Sequence, residues 1–314
     1  MINLTANSKQ LDLILPNTNR ALAEVLKDAS PKELQLLAQS KDLKSILNSL
    51  LTQSSQGSSS DKVLLNLLKN NPTLKSIGTA SNNLKDLLNI IKADSTPLPT
   101  QAKLKNLLVD IKNLKEPLLK QKIENSGIFL ESNLKNAKNP LEIKEILSKD
   151  LKSLLLQASD EIHNSSHSSK TELLKQVDKL LLQIDYHQLL SHLSNSSSLY
   201  IPFSWEQLQE GRLELKKGKD KRFQCDIELK LKEYGELTLR LTLYDDNQLN
   251  TDIYSDNSEF KEIIKANIAS LRSALIKNSI TPREIRLFDS SKNAVTSPYE
   301  ESEKEIDLGF EVKA

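Results

Sequence analysis

The chain is poor in aromatic residues. Only 13 of its 314 residues are Phe, Tyr or Trp, and eleven of these lie at or beyond Tyr200. Phe129 is the only aromatic residue before Tyr186. Cores of chains this long normally use large aromatic side chains throughout. The skew therefore argues against a single uniform core and predicts a division near residue 200.

Glycine, cysteine and histidine are also scarce. The seven glycines are too dispersed for a phosphate-binding glycine-rich loop. The single cysteine, Cys225, excludes an intrachain disulfide and lies at an alternating position that favours a core residue over a nucleophile. His163 and His167 have a spacing that could hold zinc on a helix, but no third ligand is nearby, and a solvated serine-rich loop is predicted. We therefore predict no catalytic residues, no metal, no cofactor and no enzymatic activity.

Charge and hydropathy argue against two classes of partner. The formal net charge is +1, so the chain as a whole has no field that attracts nucleic acid or anionic lipid. The basic residues within 216–222 could touch phosphate or an acidic partner, but a solvated hairpin turn is the favoured interpretation. No apolar run approaches the roughly 18 residues of a membrane span, and we expect no secretory signal at the N-terminus. The sequence thus predicts neither a nucleic-acid partner nor direct membrane insertion.

Leucine-rich segments with helical periodicity cover the first 196 residues. In residues 1–100 they are short and bury little apolar area. Since ordering each residue costs about 1–2 kcal/mol, this region is predicted to be mobile, or helical only when bound. Residues 101–196 have stronger helical patterns, including one helix from Asn139-Pro140 to Ala158 and another over 171–193. Three or four such helices could form a small bundle.

After residue 196 the apolar period changes from 3.6 to 2. Four alternating segments predict an antiparallel meander: 212–216, 223–231, 237–243 and 249–254. A helix follows, with a predicted buried stripe of Phe260, Ile263, Ile264, Ile268, Leu271 and Leu275, and residues 284–288 form a final short strand. The predicted fold class is therefore α+β, with a C-terminal domain over 197–290. The polar residues 291–314 are predicted to be a disordered acidic tail.

Several short motifs follow one another in a recognisable order. In the C-terminal domain they are Gly235 in a tight turn between two leucine-rich strands, Leu271-Arg-Ser-Ala-Leu275 on the helix, and Ile285-Arg-Leu287 in the last strand. This order resembles the C-terminal domain of flagellar hook-length control proteins, although Tyr234 stands where that family often has proline. The middle region is similar to that of longer members through Ser126-Gly-Ile-Phe-Leu-Glu131, Asp150-Leu-Lys152 and Gln188-Leu189. The likeness spans about residues 116–290.

The resemblance implies a function. Such proteins are exported from the cytoplasm by the flagellar type III secretion apparatus while the hook grows. Residues 1–100 would then be an export or ruler region, with hook and hook-cap subunits as partners of the N-terminal part. The C-terminal domain would contact the cytoplasmic domain of the export-switch membrane protein and change export specificity from hook to filament subunits. The alternative is a non-exported cytoplasmic helical scaffold or chaperone-like interaction protein.

The predicted partner contact lies on strand edges, turns and one helix of the C-terminal domain. Edge strands offer unpaired backbone groups to a partner, and the alternative interpretation of the inward leucines is plain core packing. The predicted partner-binding residues are Tyr234, Gly235, Leu237, Leu239, Arg240, Leu241, Leu271, Arg272, Leu275, Ile285 and Leu287.

Overall fold

The structure, a computed structural model, describes most of the chain between residues 19 and 289. The described residues are 19–28, 59–93, 97–194, 196–217, 222–245 and 247–289. The predicted acidic tail over 291–314 lies outside them, as does much of 1–100. The chain divides into two compact units, Met1–Leu213 and Glu214–Ala314. The composition predicts a division near residue 200.

The first unit is built from helices. Its described helices are α1 (Arg20–Asp28), α2 (Ser59–Asn70), α3 (Pro72–Lys75), α4 (Ala80–Ala93), α5 (Gln101–Leu107), α6 (Glu116–Glu124), α7 (Leu130–Asn136), α8 (Pro140–Lys149), α9 (Leu151–His163) and α10 (Lys170–Ser194). The strand β1 (Ser197–Tyr200) follows α10. The long helix α10 is central, because it contacts α1, α2, α4, α9 and β1. It matches the helix predicted over 171–193.

The described helices of the first hundred residues pack against α10. Ala21 of α1 and Leu64 and Leu68 of α2 are fully buried in one aliphatic cluster with Leu189 of α10. Each of these helices is too short to be stable alone. Their apolar faces are covered from within the chain, by a 25-residue helix that runs beside them.

The single helix predicted from Asn139 to Ala158 is two helices. The Asn139 side chain caps α8 as predicted, accepting hydrogen bonds from the backbone N–H groups of Leu141 and Glu142 at 3.0 Å. Asp150 then ends α8 and caps α9, because its Oδ1 accepts from the N–H of Ser153 at 3.1 Å. The apolar period continues through this break, so periodicity alone does not reveal it.

One buried ion-pair network ties α7, α9 and α10 together. The Lys152 side chain on α9 is only 2% exposed. Its Nζ lies 2.7 Å from Glu131 Oε1, 2.7 Å from Gln188 Oε1 and 3.1 Å from Asp185 Oδ1. The three N–H groups of the ammonium therefore have three acceptors on two other helices. Burial acts to lower the pKa of Lys152, but the carboxylates of Glu131 and Asp185 outweigh it and raise the pKa above its usual value.

The acceptors of Lys152 are themselves held in place. Asp185 Oδ2 accepts from the backbone N–H of Arg20 at 2.9 Å, which joins α1 to the network. Gln188 Nε2 donates to Glu131 Oε2 at 2.7 Å and to the Ile128 carbonyl at 2.9 Å. Each carboxylate and amide thus has its position set by more than one bond.

The turn at Gly127 completes this cluster. Gly127 has φ +87°, and a Cβ there would lie 2.9 Å from the backbone nitrogen of Lys152, so only glycine fits. Its N–H donates to the buried Asp150 Oδ2 at 3.2 Å, and the Tyr200 hydroxyl donates to the Ser126 carbonyl at 2.5 Å. Motifs around residues 126–131, 150–152 and 188 therefore meet in space, although they are far apart in the sequence.

The second unit is mainly sheet. Its elements are the end of β2 (Leu208–Lys217), β3 (Phe223–Leu231), β4 (Gly235–Tyr244), β5 (Gln248–Tyr254), α11 (Ser258–Lys277) and β6 (Thr281–Phe288). The strands β1 to β6 are hydrogen-bonded in sequence order, β3–β4 and β4–β5 as antiparallel pairs and β5–β6 as a parallel pair. The α+β class is confirmed. The sheet is wider than the predicted four-stranded meander and is mixed, because α11 crosses over between two parallel strands.

The histidines and the cysteine that the sequence analysis considered lie in different surroundings. His163 is the last residue of α9, and His167 is buried rather than solvated, at 5% exposure. Cys225 is buried as predicted, and burial together with the nearby Asp226 raises its pKa to about 12, which leaves it a thiol.

The described residues contain no group of three side chains suited to a metal ion. Among the same residues, no helix has the length and apolar content that a membrane crossing requires.

We predict that the substitution Lys152→Met strongly destabilises the first unit. It leaves the partly buried Glu131 without its cation and the buried Asp185 with only Arg20 Nη1 at 3.5 Å, and removing one partner of a buried ion pair typically costs about 3–5 kcal/mol. Urea unfolding followed by circular dichroism measures the loss. Lys149→Met is the matched control, because Lys149 pairs with Glu145 on the surface of the preceding helix, and it should leave stability almost unchanged. Equal stabilities of the two variants would contradict the role assigned to Lys152.

We also predict a pH dependence that arises from Asp150. Its pKa is raised to about 7; burial is the largest cause, the N–H of Ser153 and the charge of Lys152 oppose the shift, and the charge of Glu131 adds to it. The unfolded value is near 3.9, so between about pH 4 and pH 7 the folded state holds a proton that the unfolded state has lost. Stability from this group is present below about pH 4 and is lost as the pH rises through 7.

Asp150→Asn removes this titration and keeps one acceptor oxygen. Relative to the variant, the original chain should lose on the order of 2 kcal/mol of unfolding free energy between pH 5 and pH 7.5. The measurement is urea unfolding of both proteins at both pH values. A difference between the two proteins that stays constant with pH would show that Asp150 does not titrate in this range.

Candidate partner-binding surface

The strand register places the five predicted leucine and isoleucine contacts of β4 and β6 on one face of the sheet. Leu239 pairs with Ile227 on β3 and with Ile253 on β5, and Ile253 pairs in turn with Leu287 on β6. Paired residues point to the same side of a pleated sheet. The residues that share this apolar face by register include Leu237, Leu239, Leu241, Ile285 and Leu287.

This apolar face is only partly covered. Ile253, Leu237 and Leu249 are buried at 3–8% exposure. Leu239, Leu241 and Leu243 of β4 are half-buried, as is Ile227 of β3. Phe223, at the start of β3, is 40% exposed. Three further β3 residues on this face, Cys225, Leu229 and Leu231, are buried at 3–9% exposure. The face is therefore buried along β5 and over much of β3, and it is half-buried along most of β4 and on β6.

Helix α11 does not bury the stripe that the sequence predicts. Asn257 caps it by accepting from the Phe260 N–H at 2.9 Å, and the Phe260 ring stacks on Tyr234 with centroids 4.4 Å apart. None of its residues is buried, and Ile263, Leu271 and Ile276 are 40%, 38% and 64% exposed. The predicted buried stripe is wrong in this respect. Among the strands, α11 contacts mainly β6 at the edge of the sheet, so its apolar side lies over little of the sheet.

Arg240 lies on the opposite face of the sheet from the leucines. Its Nε is 3.3 Å from Asp226 Oδ1, and its guanidinium lies 6.0 Å from the centre of the Tyr254 ring. Burial raises the pKa of Asp226, and the charge of Arg240 acts against this shift. The structure thus assigns Arg240 a structural ion pair and does not bring it together with the other predicted contact residues.

A ladder of alternating charge runs across this polar face, and the sequence analysis missed it. In register, Asp226 pairs with Arg240, Arg240 with Asp252 and Asp252 with Arg286. Arg286 binds Asp252 through two bonds of 2.7 and 2.9 Å. The only signal in the sequence is a charged residue at a polar position of each strand, and this becomes informative only once the register is known.

The free edge of the sheet does not lie where the sequence predicts it. β4 pairs with β3 on one side and with β5 on the other, so residues 234–243 offer no free edge. Gly235 begins β4 at φ +75°, a conformation that favours glycine, and nothing lies within 4 Å of its would-be Cβ. The edge of the sheet in this unit is β6, which carries Ile285 and Leu287. By this strand order, a partner strand could therefore pair with β6 but not with β4.

The predicted helix residues Leu271, Arg272 and Leu275 are neighbours on α11. Leu275 and Arg272 are half-buried, and Leu271 is more exposed. Arg272 forms no ion pair and no side-chain hydrogen bond with any described residue. An arginine without a carboxylate beside an exposed leucine is the type of arrangement found at protein–protein contacts.

Comparison with known proteins gives a match in this unit. Residues 211–294 match the family described as flagellar hook-length control protein FliK. Neither the curated proteins nor the solved structures contain a match to the chain. The matched range begins within β2 and ends just beyond β6. The C-terminal region of the chain is therefore a domain of the flagellar hook-length control family.

Proposed function

We propose that the protein controls flagellar hook length and switches the substrate specificity of type III export. In this proposal the second unit contacts the cytoplasmic domain of the export-switch membrane protein. The observation that carries the proposal is the coincidence of the family match with the unit that leaves apolar residues exposed on α11 and at Phe223. A non-exported scaffold is not favoured by that match.

The open surface fits a protein partner. A small unit that leaves Leu271, Ile263 and Phe223 about 40% exposed has apolar area that binding would remove from water. Arg272 and the exposed Arg283 add positive charge without an internal carboxylate partner among the described residues. A partner surface with apolar side chains and at least one carboxylate would complement this arrangement.

Export places a second demand on the chain. A protein that is threaded through the apparatus must unfold, and its lone cysteine means that no intrachain disulfide opposes this. The first unit would have to open its helical core and the Lys152 network before export. In this proposal it then acts beyond the membrane, with hook and hook-cap subunits as partners.

We predict that Leu271→Glu abolishes switching without unfolding the protein. Leu271 is 38% exposed, so a charge there costs little in the free chain but opposes burial at an interface. Binding to the purified cytoplasmic domain of the switch protein should weaken at least about tenfold. In a flagellated strain whose only copy encodes the variant, hooks should be longer and filaments fewer, as seen by electron microscopy.

The neighbouring exposed residue provides the control. Ser270→Glu adds the same charge one position away on the same helix, and it should leave hook length and binding near the original values. Both variants should unfold at similar temperatures. Normal hooks and unchanged binding in Leu271→Glu would contradict the proposed contact on α11.

A further inference from the structure

Within the described residues, strand β6 forms the edge of the sheet, and none of its residues is buried. Its neighbour β5, by contrast, buries Leu249, Thr251 and Ile253 at 3–8% exposure. Ile285 and Leu287 continue the apolar face of the sheet onto β6, where both are only half-buried. Natural proteins normally cover or blunt an apolar edge strand, because a free edge promotes association between chains. The second half of β6 lacks such a cover among the described residues.

The backbone of β6 directs two residues toward this free edge. The Phe288 carbonyl accepts from the N–H of Ser255 at 3.1 Å, so the backbone polar groups of Phe288 point toward β5. These groups alternate in direction along a strand, and those of Leu287 and Ile285 therefore point away from β5. The first half of β6 is less suited to pairing, because it contains Pro282 and its register with β5 shifts there. A further strand would thus pair with residues 284–289.

A segment beyond the described residues has the sequence pattern of a strand. Residues 306–313 read Ile-Asp-Leu-Gly-Phe-Glu-Val-Lys, with an apolar residue at every second position. Such alternation is typical of a strand with one apolar and one polar face. The pattern differs from the mainly polar residues 290–305 that precede it. This segment could therefore complement an edge strand that has one apolar and one charged face.

We propose that residues 308–313 bind along β6 of the same chain as an antiparallel strand. Phe310 lies opposite Leu287, and Val312 lies opposite Ile285, both as hydrogen-bonded pairs that use the outward backbone groups of β6. Directly opposite side chains of an antiparallel pair share one face of the sheet. The two apolar rows that end at Leu287 and Ile285 are therefore extended by one residue each, and the β6 edge is covered from within the chain.

The charges favour this register. Arg286 is the last member of the ladder of alternating charge, and its side chain is 50% exposed. The register places Glu311 opposite Arg286, and Lys313 opposite Glu284. Both are pairs of opposite charge, which stabilise directly facing positions of a sheet. A shift by two residues would instead bring Glu311 opposite Glu284, where the like charges repel each other.

The length of the connection is compatible with binding in the same chain. Residues 290–307 join Asp289 of the sheet to Leu308, a loop of 18 residues. Closing a loop of this length costs only slightly more entropy than closing a short one. A second copy of the chain could present the same segment, but the linked segment has an effective concentration in the millimolar range. The inference needs no switch protein and does not depend on the proposed function.

Paired cysteines test the register in the full chain. Ile285→Cys combined with Val312→Cys should close an intramolecular disulfide in oxidised glutathione, because Cα atoms about 5.5 Å apart suit this bond. The matched control combines Ile285→Cys with Leu308→Cys, which the register separates by about 14 Å along the strand. The control should close at least about tenfold more slowly.

Mass spectrometry of the digested protein identifies the bond and separates it from any bond to Cys225. Equal closure of the two pairs, or faster closure of the control, would overturn the register. A disulfide-linked dimer in place of a linked monomer would assign the edge to a second copy and overturn binding in the same chain.

Amide hydrogen exchange read by NMR gives a second test without cysteine substitutions. The N–H groups of Ile285 and Leu287 should be protected in the original chain and should exchange at least about tenfold faster in Phe310→Glu, which places a charge on the apolar side of the segment. Ser302→Glu adds the same charge within the connecting residues and should leave the protection unchanged. Unprotected amides in the original chain, or equal exchange in the two variants, would overturn the proposal.

Discussion

The buried ammonium of Lys152 is the constraint on which the arrangement of the first unit depends. An ammonium cannot be buried without acceptors, because its desolvation would cost several kcal/mol. Here Glu131 on α7 and Asp185 and Gln188 on α10 must all reach it at once. This requirement fixes how α7, α9 and α10 align and, through the bond from Asp185 to the N–H of Arg20, where α1 begins. Such a network specifies one packing of the helices, even where apolar residues of similar volume would give the fold the same stability.

In contrast to the first unit, the helix of the second unit has no buried residue. The leucines of this unit alternate along the strands, but among the strands the helix α11 contacts mainly the edge strand β6. The charge ladder from Asp226 to Arg286 holds the polar face in register, while the apolar face is only half-buried along most of β4. The aromatic residues concentrated after Tyr200 help to close the ends of this unit, as in the stacked pair Tyr234 and Phe260. The chain therefore combines a helical unit with a buried core and a sheet unit whose helix is largely exposed.

Much of this fold could be predicted from the sequence, and the failures have physical causes. Strict apolar–polar alternation predicts the strands after residue 223, and the capping side chain of Asn139 predicts the start of α8. Both signals depend only on residues close together in the sequence. The break at Asp150 was missed because the apolar period runs through it. The exposure of Leu271 was missed because periodicity shows which side of a helix is apolar but not how much partner surface is available. The ion-pair network could not be predicted, since it joins Glu131, Lys152 and Asp185 across more than 50 residues.

Amide hydrogen exchange of the full chain shows whether the Lys152 network makes the first unit cooperative and whether α11 is only weakly stabilised. We expect the amides of α9 and α10 to exchange together, through one opening, and more slowly than the other described amides. Amides of α11 should exchange faster than those of β3 to β5, through local opening. Independent exchange of α9 and α10, or protection of α11 equal to that of the central strands, would contradict the account.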